Sequence, residues 1–212
     1  MPSFLDPDRP HATLYLLDGQ NVFDDHGSFA GGWHAHATLE RLRGPGTWPT
    51  VLVALPNAGL MRLQEYGSRV DALLETLLGE LVPRVEARLG GGGPRVIGGA
   101  SMGGLASLYA WFHHPHAFDG ALVMSPSLWY NHRATMRHIL RGDWPLPGRG
   151  RLYVDAGARE RGHMFSDAEQ LSAALAARAP ERVMWRPDRR GAHHERHWRR
   201  RLPKALRFLL RR

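Results

Sequence analysis

Short apolar runs alternate with amphipathic stretches along the whole chain. Residues 12–17 (ATLYLL) and 50–55 (TVLVAL) are uninterrupted apolar runs of strand length, and both read as buried strands. The turn-rich loop DGQNVFDDHGSFAGG follows the first, and a helix is predicted over 33–43. From Val70 to Leu89 the apolar positions 70, 73, 74, 77, 78, 81 and 85 recur at the period of one helix face, with a bend expected at Pro83. The GGGGP run then ends that helix. Further strands are predicted over 95–98, 119–125, 151–156 and 182–186, and further helices over 105–113, 132–140, 167–179 and 198–210. Strands alternating with helices predict an α/β fold, a mostly parallel central sheet covered by helices on both faces, in one domain over residues 1–212. Chemistry in such sheets sits beyond the carboxyl ends of the strands. The loops to read are therefore 18–32, 56–69, 99–104, 125–131, 157–166 and 187–197.

Composition narrows the classes. At 43% hydrophobic, 212 residues build a sizeable core. No run of 18 apolar residues is present, so no transmembrane helix is expected, and MPSFLDPDRP has neither region of a signal peptide, so a cytoplasmic location is expected. Zero cysteines remove disulfides, thiolate nucleophiles and cysteine-held metals together. The net charge is +8, and 12 of the 28 basic residues lie from Arg182 onward against only Asp188 and Glu195. Such a face attracts anions. Nothing resembles an RNP motif, a zinc finger or a basic zipper, so a solvated basic helix is expected, with neither nucleic acid nor membrane as partner.

The strand-to-helix turn Gly98-Gly99-Ala100-Ser101-Met102-Gly103-Gly104 contains G-x-S-x-G. A nucleophile elbow strains the serine backbone in a very tight turn, and glycines two before and two after leave room for it. The Met102 amide would then face an oxyanion at the helix N-terminus. A P-loop needs Gly-Lys-Ser/Thr, and a dinucleotide fingerprint belongs in the first strand–helix turn; neither is met. Ser101 requires a histidine base oriented by a carboxylate, and in α/β-hydrolases the chain order is serine, acid, histidine. The loop PDRRGAHHERHW offers His193 or His194 as the base, with His197 expected in the closing helix and Glu195 as a helix N-terminal charge. For the acid, Glu160 lies beyond the strand ending VDAG and is favoured by position over Asp155, which points into the sheet or toward a helix. The second oxyanion amide is expected near Gln20, after the first strand. Gly19 there lets backbone approach, and Asp18 and Asn21 hold the loop by local hydrogen bonds. Asp18, Gly19 and Trp129 are the expected substrate-side residues.

These segments together resemble the esterase D/enterochelin-esterase-like family of α/β-hydrolases. The likeness rests on LYLLDGQNVFDD, LVPRVEARLG, VIGGASMGGLASLYAWFHHPHAFDGALVMSPSLWY, VDAGARE and GAHHERHWRRRLPKALRFLL, and spans about residues 12–210. By that resemblance Ser101 is the nucleophile, Glu160 the acid and His193 the base. It also implies hydrolysis of carboxylic or thiol esters without a cofactor or metal, on a small-molecule ester. Ser127, Trp129 and Tyr130 align with a segment close to the acyl site. Relatives carry two or three strands before the LYLLDG strand, which begins at Ala12 here with about eleven residues ahead of it. Trimmed edge strands and pairing into a homo-oligomer through the bared edge are therefore expected. Loop arginines, among them Arg62, Arg69, Arg159 and Arg161, would favour an anionic ester. Two rivals stand beside this reading. One is a metal-dependent hydrolase using His193 and His197 at i, i+4, or His113, His114 and His116. The other is a non-catalytic binding protein of the same fold that uses its basic C-terminal face.

Overall fold

The computed structural model describes residues 9–26, 28 and 30–212. Six parallel strands form one sheet: β1 (His11–Leu17), β2 (Thr50–Leu55), β3 (Gly92–Ala100), β4 (Gly120–Met124), β5 (Arg151–Gly157) and β6 (Val183–Asp188), in the order β2-β1-β3-β4-β5-β6. The order reverses direction between β1 and β3, so their carboxyl ends open a crevice. All seven residues of β1 are buried, as its unbroken apolar run requires of a strand covered on both faces. Their side chains alternate between two cores. Tyr15 and Leu17 join one with Ile97, Leu108 and Leu171; Ala12, Leu14 and Leu16 join the other with Trp33, Leu202 and Leu206.

The first core lies under α3 (Val70–Thr76), α5 (Met102–His113) and α7 (Met164–Arg178), and the second under α1 (Ala35–Leu42) and α8 (Glu195–Leu209). The helical run expected over 70–89 is continuous but not uniform. It passes from α3 through a π-turn at Leu77–Leu81 into α4 (Val82–Leu89). Pro83 has no N–H for the carbonyl of Gly79, so the ladder widens just ahead of it.

Several boundaries fall outside the predicted spans. β3 begins inside the glycine run because a Cβ at Gly93 would lie 2.5 Å from the His11 carbonyl oxygen, an approach to β1 that only glycine allows. A single-turn α2 (Arg62–Glu65) lies in the loop after β2, preceded by a 3-10 turn at Gly59–Met61. α6 (Tyr130–Arg141) starts on Asn131, His132 and Arg133, all with positive φ, a left-handed turn held by an Arg133 ion pair to buried Asp167. β2 is the outermost strand on its side among the described residues.

Candidate active site

Ser101 sits between the end of β3 and the start of α5 with φ 59 and ψ −121. Few non-glycine residues adopt this backbone, and it holds only because its surroundings over-determine it. The Ser101 N–H donates to Met124 O at 3.0 Å, and its carbonyl accepts from Leu105 N at 3.1 Å and Ser127 N at 3.0 Å. A Cβ on Gly99 would lie 2.7 Å from the Gly103 carbonyl carbon, and one on Gly104 2.9 Å from Met124 O. The turn is thus as tight as the glycine spacing predicted. Met102 opens α5, where no preceding turn supplies its amide with an acceptor.

The loop after β6 delivers His193, whose Nε2 lies 3.0 Å from Ser101 Oγ. The loop after β5 delivers Glu160, whose Oε2 lies 3.4 Å from His193 Nδ1. These partners put the imidazole proton on Nδ1 and leave Nε2 to accept from the serine. The Trp198 ring stands edge-on to the imidazole at 4.9 Å. The Glu160 side chain is fully buried. Burial by itself would raise its pKa, but hydrogen bonds from His193, Ser125 Oγ (2.6 Å) and Gly157 N (2.7 Å) outweigh burial and hold it below the ordinary value. It is a carboxylate at neutral pH.

Ser125 is saturated. Its hydroxyl donates to Glu160 and accepts from Trp198 Nε1 and Arg201 Nη2, each at 2.9 Å. Sequence reasoning missed both Ser125 and Arg201. A signal for Arg201 existed, because it falls in phase with Trp198, Leu202 and Ala205 on the buried stripe of α8. Within the run Arg199-Arg200-Arg201 that phase was masked by charge.

Across the crevice, Gly19-Gln20-Asn21 forms a 3-10 turn after β1. A Cβ on Gly19 would lie 2.6 Å from the backbone where β2 ends, so this glycine admits the chain beside β2. Gln20 is exposed beside it, its Oε1 accepting from Asn57 N at 3.4 Å. The Asp18 carboxylate is buried and engaged: it accepts from Arg62 Nε at 2.5 Å and Nη2 at 2.6 Å, and from Asn57 Nδ2 at 2.7 Å. Its own N–H donates to the Tyr66 hydroxyl at 3.0 Å. Arg62 is therefore committed to Asp18, which removes it from the arginines free to attract an anionic ester. Arg69, Arg159 and Arg161 remain exposed. Ser127 Oγ lies 3.1 Å from Ser101 Oγ, and Trp129 stands at the rim, 52% exposed.

The other expected residues lie elsewhere. His194 caps α8, with Nδ1 accepting from Arg196 N at 3.3 Å, and Glu195 follows in its first turn. Asp155 points from β5 toward α8 and does not touch His193. His113 stacks on Tyr109 at 4.1 Å, and no group of three side chains placed to hold a metal occurs among the described residues. Arg196, Arg199, Arg200, Lys204 and Arg207 are exposed on α8. No helix among the described residues is long and apolar enough to cross a membrane.

The model of the family described as "Putative esterase" matches residues 1–209. The chain belongs to this esterase family. Among its relatives is the Iron(III) enterobactin esterase of Escherichia coli (strain K12), 33% identical over 97 residues, which are 43% of this chain and 24% of that protein. The solved enterobactin esterase of Shigella flexneri, in the presence of enterobactin, superposes with a TM-score of 0.79 at 26% identity, over 96% of this chain and 52% of that one. The chain thus spans about half the length of that esterase. The BES protein from Bacillus cereus shares the fold, with a TM-score of 0.78 at 21% identity over 99% of this chain and 88% of its own. This esterase family member, whose sheet has six parallel strands, shares its α/β-hydrolase fold with these neighbours.

Proposed function

We propose that the chain is a serine esterase that cleaves a carboxylic or thiol ester of a small molecule through an acyl-enzyme, with Ser101, His193 and Glu160 as its triad. The observation that carries this reading is a strained serine whose hydroxyl lies 3.0 Å from an imidazole backed by a buried carboxylate. His193 Nε2 takes the Ser101 proton as Oγ bonds to the ester carbonyl carbon. The amides of Met102 and Gln20 receive the oxyanion, worth about 3–4 kcal/mol for one such donor. His193 passes the proton to the departing alcohol or thiol as its bond to carbon breaks. A water, deprotonated by His193, then adds to the acyl-enzyme, and Ser101 leaves with the proton returned. Glu160 fixes the tautomer and stabilises the imidazolium throughout. Trp129 at the rim, with the loop at Asp18 and Gly19, borders the substrate. The turnover is balanced without a cofactor.

Two relatives are named for enterobactin, so siderophore esters are the natural substrates to try first. The basic test is simpler: hydrolysis of p-nitrophenyl acetate near pH 8 by the native chain and by Ser101→Ala. Activity confined to the native chain supports the reading. Equal rates in both discard the elbow as catalytic.

A further inference from the structure

Asp155 and Arg201 enter none of these steps, yet they stand directly behind Glu160. Arg201 is the one of three consecutive arginines on α8 that turns inward, its side chain 6% exposed. Nε lies 3.3 Å from Asp155 Oδ2, Nη1 lies 3.7 Å from Glu160 Oε1, and Nη2 donates to Ser125 Oγ. Asp155 is completely buried, and neither carboxylate oxygen is in an aligned hydrogen bond. One guanidinium therefore faces two buried carboxylates, one of which holds His193.

With Asp155 ionised, the charges of this cluster do not balance until the histidine is protonated: Asp155, Glu160 and Arg201 together carry one negative charge, which an imidazolium at His193 cancels. With Asp155 neutral, Arg201 and Glu160 cancel each other, and protonating His193 leaves an uncompensated positive charge. We infer that Asp155 is a positioning residue of the proposed reaction: by offsetting Arg201 it keeps the charge of Glu160 available to the His193 imidazolium. Burial pushes the Asp155 carboxyl up to about 7, with Arg201 opposing and Glu160 adding to the rise, so its charge comes on around neutral pH. The other charged or titratable groups near the cluster are Tyr153 and Arg186 beside Asp155, His197 one turn before Arg201, and Arg200 paired with Asp188 on the outer side of α8. At the loop carrying His193 they are His194 and Glu195.

The inference rests on His193 being the base, and its test separates the two. The full chain, labelled at histidine, is titrated by NMR as wild type, Asp155→Asn, Arg201→Gln and Arg201→Lys, with kcat/KM for p-nitrophenyl acetate followed over the same pH range. Asp155→Asn is expected to lower the His193 midpoint by about half a unit or more for one unit charge acting through protein, and Arg201→Gln to raise it by less, because losing the guanidinium also keeps Asp155 protonated. Arg201→Lys stays near wild type, and the acid limb of kcat/KM moves with the midpoint in each variant. Shifts of one sign in both charge-removing variants, or none, overturn the inference, since a merely structural role carries no such sign. Should Arg201→Gln not fold, a midpoint unmoved in Asp155→Asn overturns it alone. A wild type that hydrolyses no ester defeats the esterase reading, while the NMR midpoints still decide the coupling.

Discussion

Gly157 closes β5 where the loop carrying Glu160 touches the loop carrying His193. Its N–H donates to Glu160 Oε1 at 2.7 Å, and the next two amides reach across, Ala158 N to Asp188 O and Arg159 N to Gly191 O, each at 2.9 Å. A methyl group placed on Gly157 would lie 2.4 Å from the carbonyl carbon and oxygen of Gly191 and 2.9 Å from Ala192 N. Ordinary contact begins at 3.4 Å, so Gly157→Ala has to part the two loops by about 1 Å. The obstacle is backbone, which cannot rotate away as a side chain would. A displacement of that size between base and acid lowers kcat/KM by about 10²-fold, and overpacking costs about 1–3 kcal/mol of stability. Gly148→Ala is the control, because a Cβ there meets nothing within 4 Å. The assay is p-nitrophenyl acetate hydrolysis alongside thermal unfolding. A folded Gly157→Ala chain with kcat/KM within about twofold of wild type would refute the claim that this contact sets the distance between Glu160 and His193.

Glu160→Gln keeps the shape of the acid and removes its charge, so kcat should fall by about 10³–10⁴-fold with little change in KM; steady-state kinetics showing a loss below tenfold would count against the assigned role. Arg62→Ala leaves Asp18 buried without its cation and should cost about 2–3 kcal/mol in urea unfolding, less than a fully buried pair because the guanidinium is partly solvated. The same change frees the loop at Gln20, so kcat should also fall, and an unaltered kcat would mean that the pair only braces the fold. Asp155 has a folded pKa raised to about 7 from an ordinary 3.8. Its contribution to stability is therefore full below the unfolded value and is lost as pH rises through about 7. Asp155→Asn escapes that loss, so it should gain on wild type by a few kcal/mol at most between pH 4 and pH 8, read as the difference in unfolding free energy; a constant difference across that range would contradict the assignment.

The strand and helix alternation was legible because β1, β2 and β4 are short apolar runs and α4 and α8 carry a periodic face, whereas α5 is buried nearly all round. The tight turn at Ser101 was equally legible, since a Cβ on Gly99 or Gly104 would meet backbone within 2.9 Å and one on Gly103 would meet the Asp18 carboxylate at 3.1 Å. Position along the chain also separated Glu160 from Asp155, because a loop residue beyond a strand reaches the crevice and one within the strand faces a helix. The hidden parts are contacts between distant residues of unremarkable type. Nothing in the local pattern joins Arg62 to Asp18, 44 residues away, or gathers Trp198 and Arg201 onto Ser125. Close approach also turned apparent helix punctuation into structure, as at Gly93, where the glycine run serves as the start of a strand.

Covalent labelling tests Ser101 as the proposed activated nucleophile without knowledge of the substrate. The full chain is treated with a fluorophosphonate and the modified residue mapped by tandem mass spectrometry. A single adduct on Ser101 is expected, absent in Ser101→Ala and formed far more slowly in His193→Ala. An unlabelled Ser101 in the folded protein, or labelling that persists undiminished in Ser101→Ala, would contradict it.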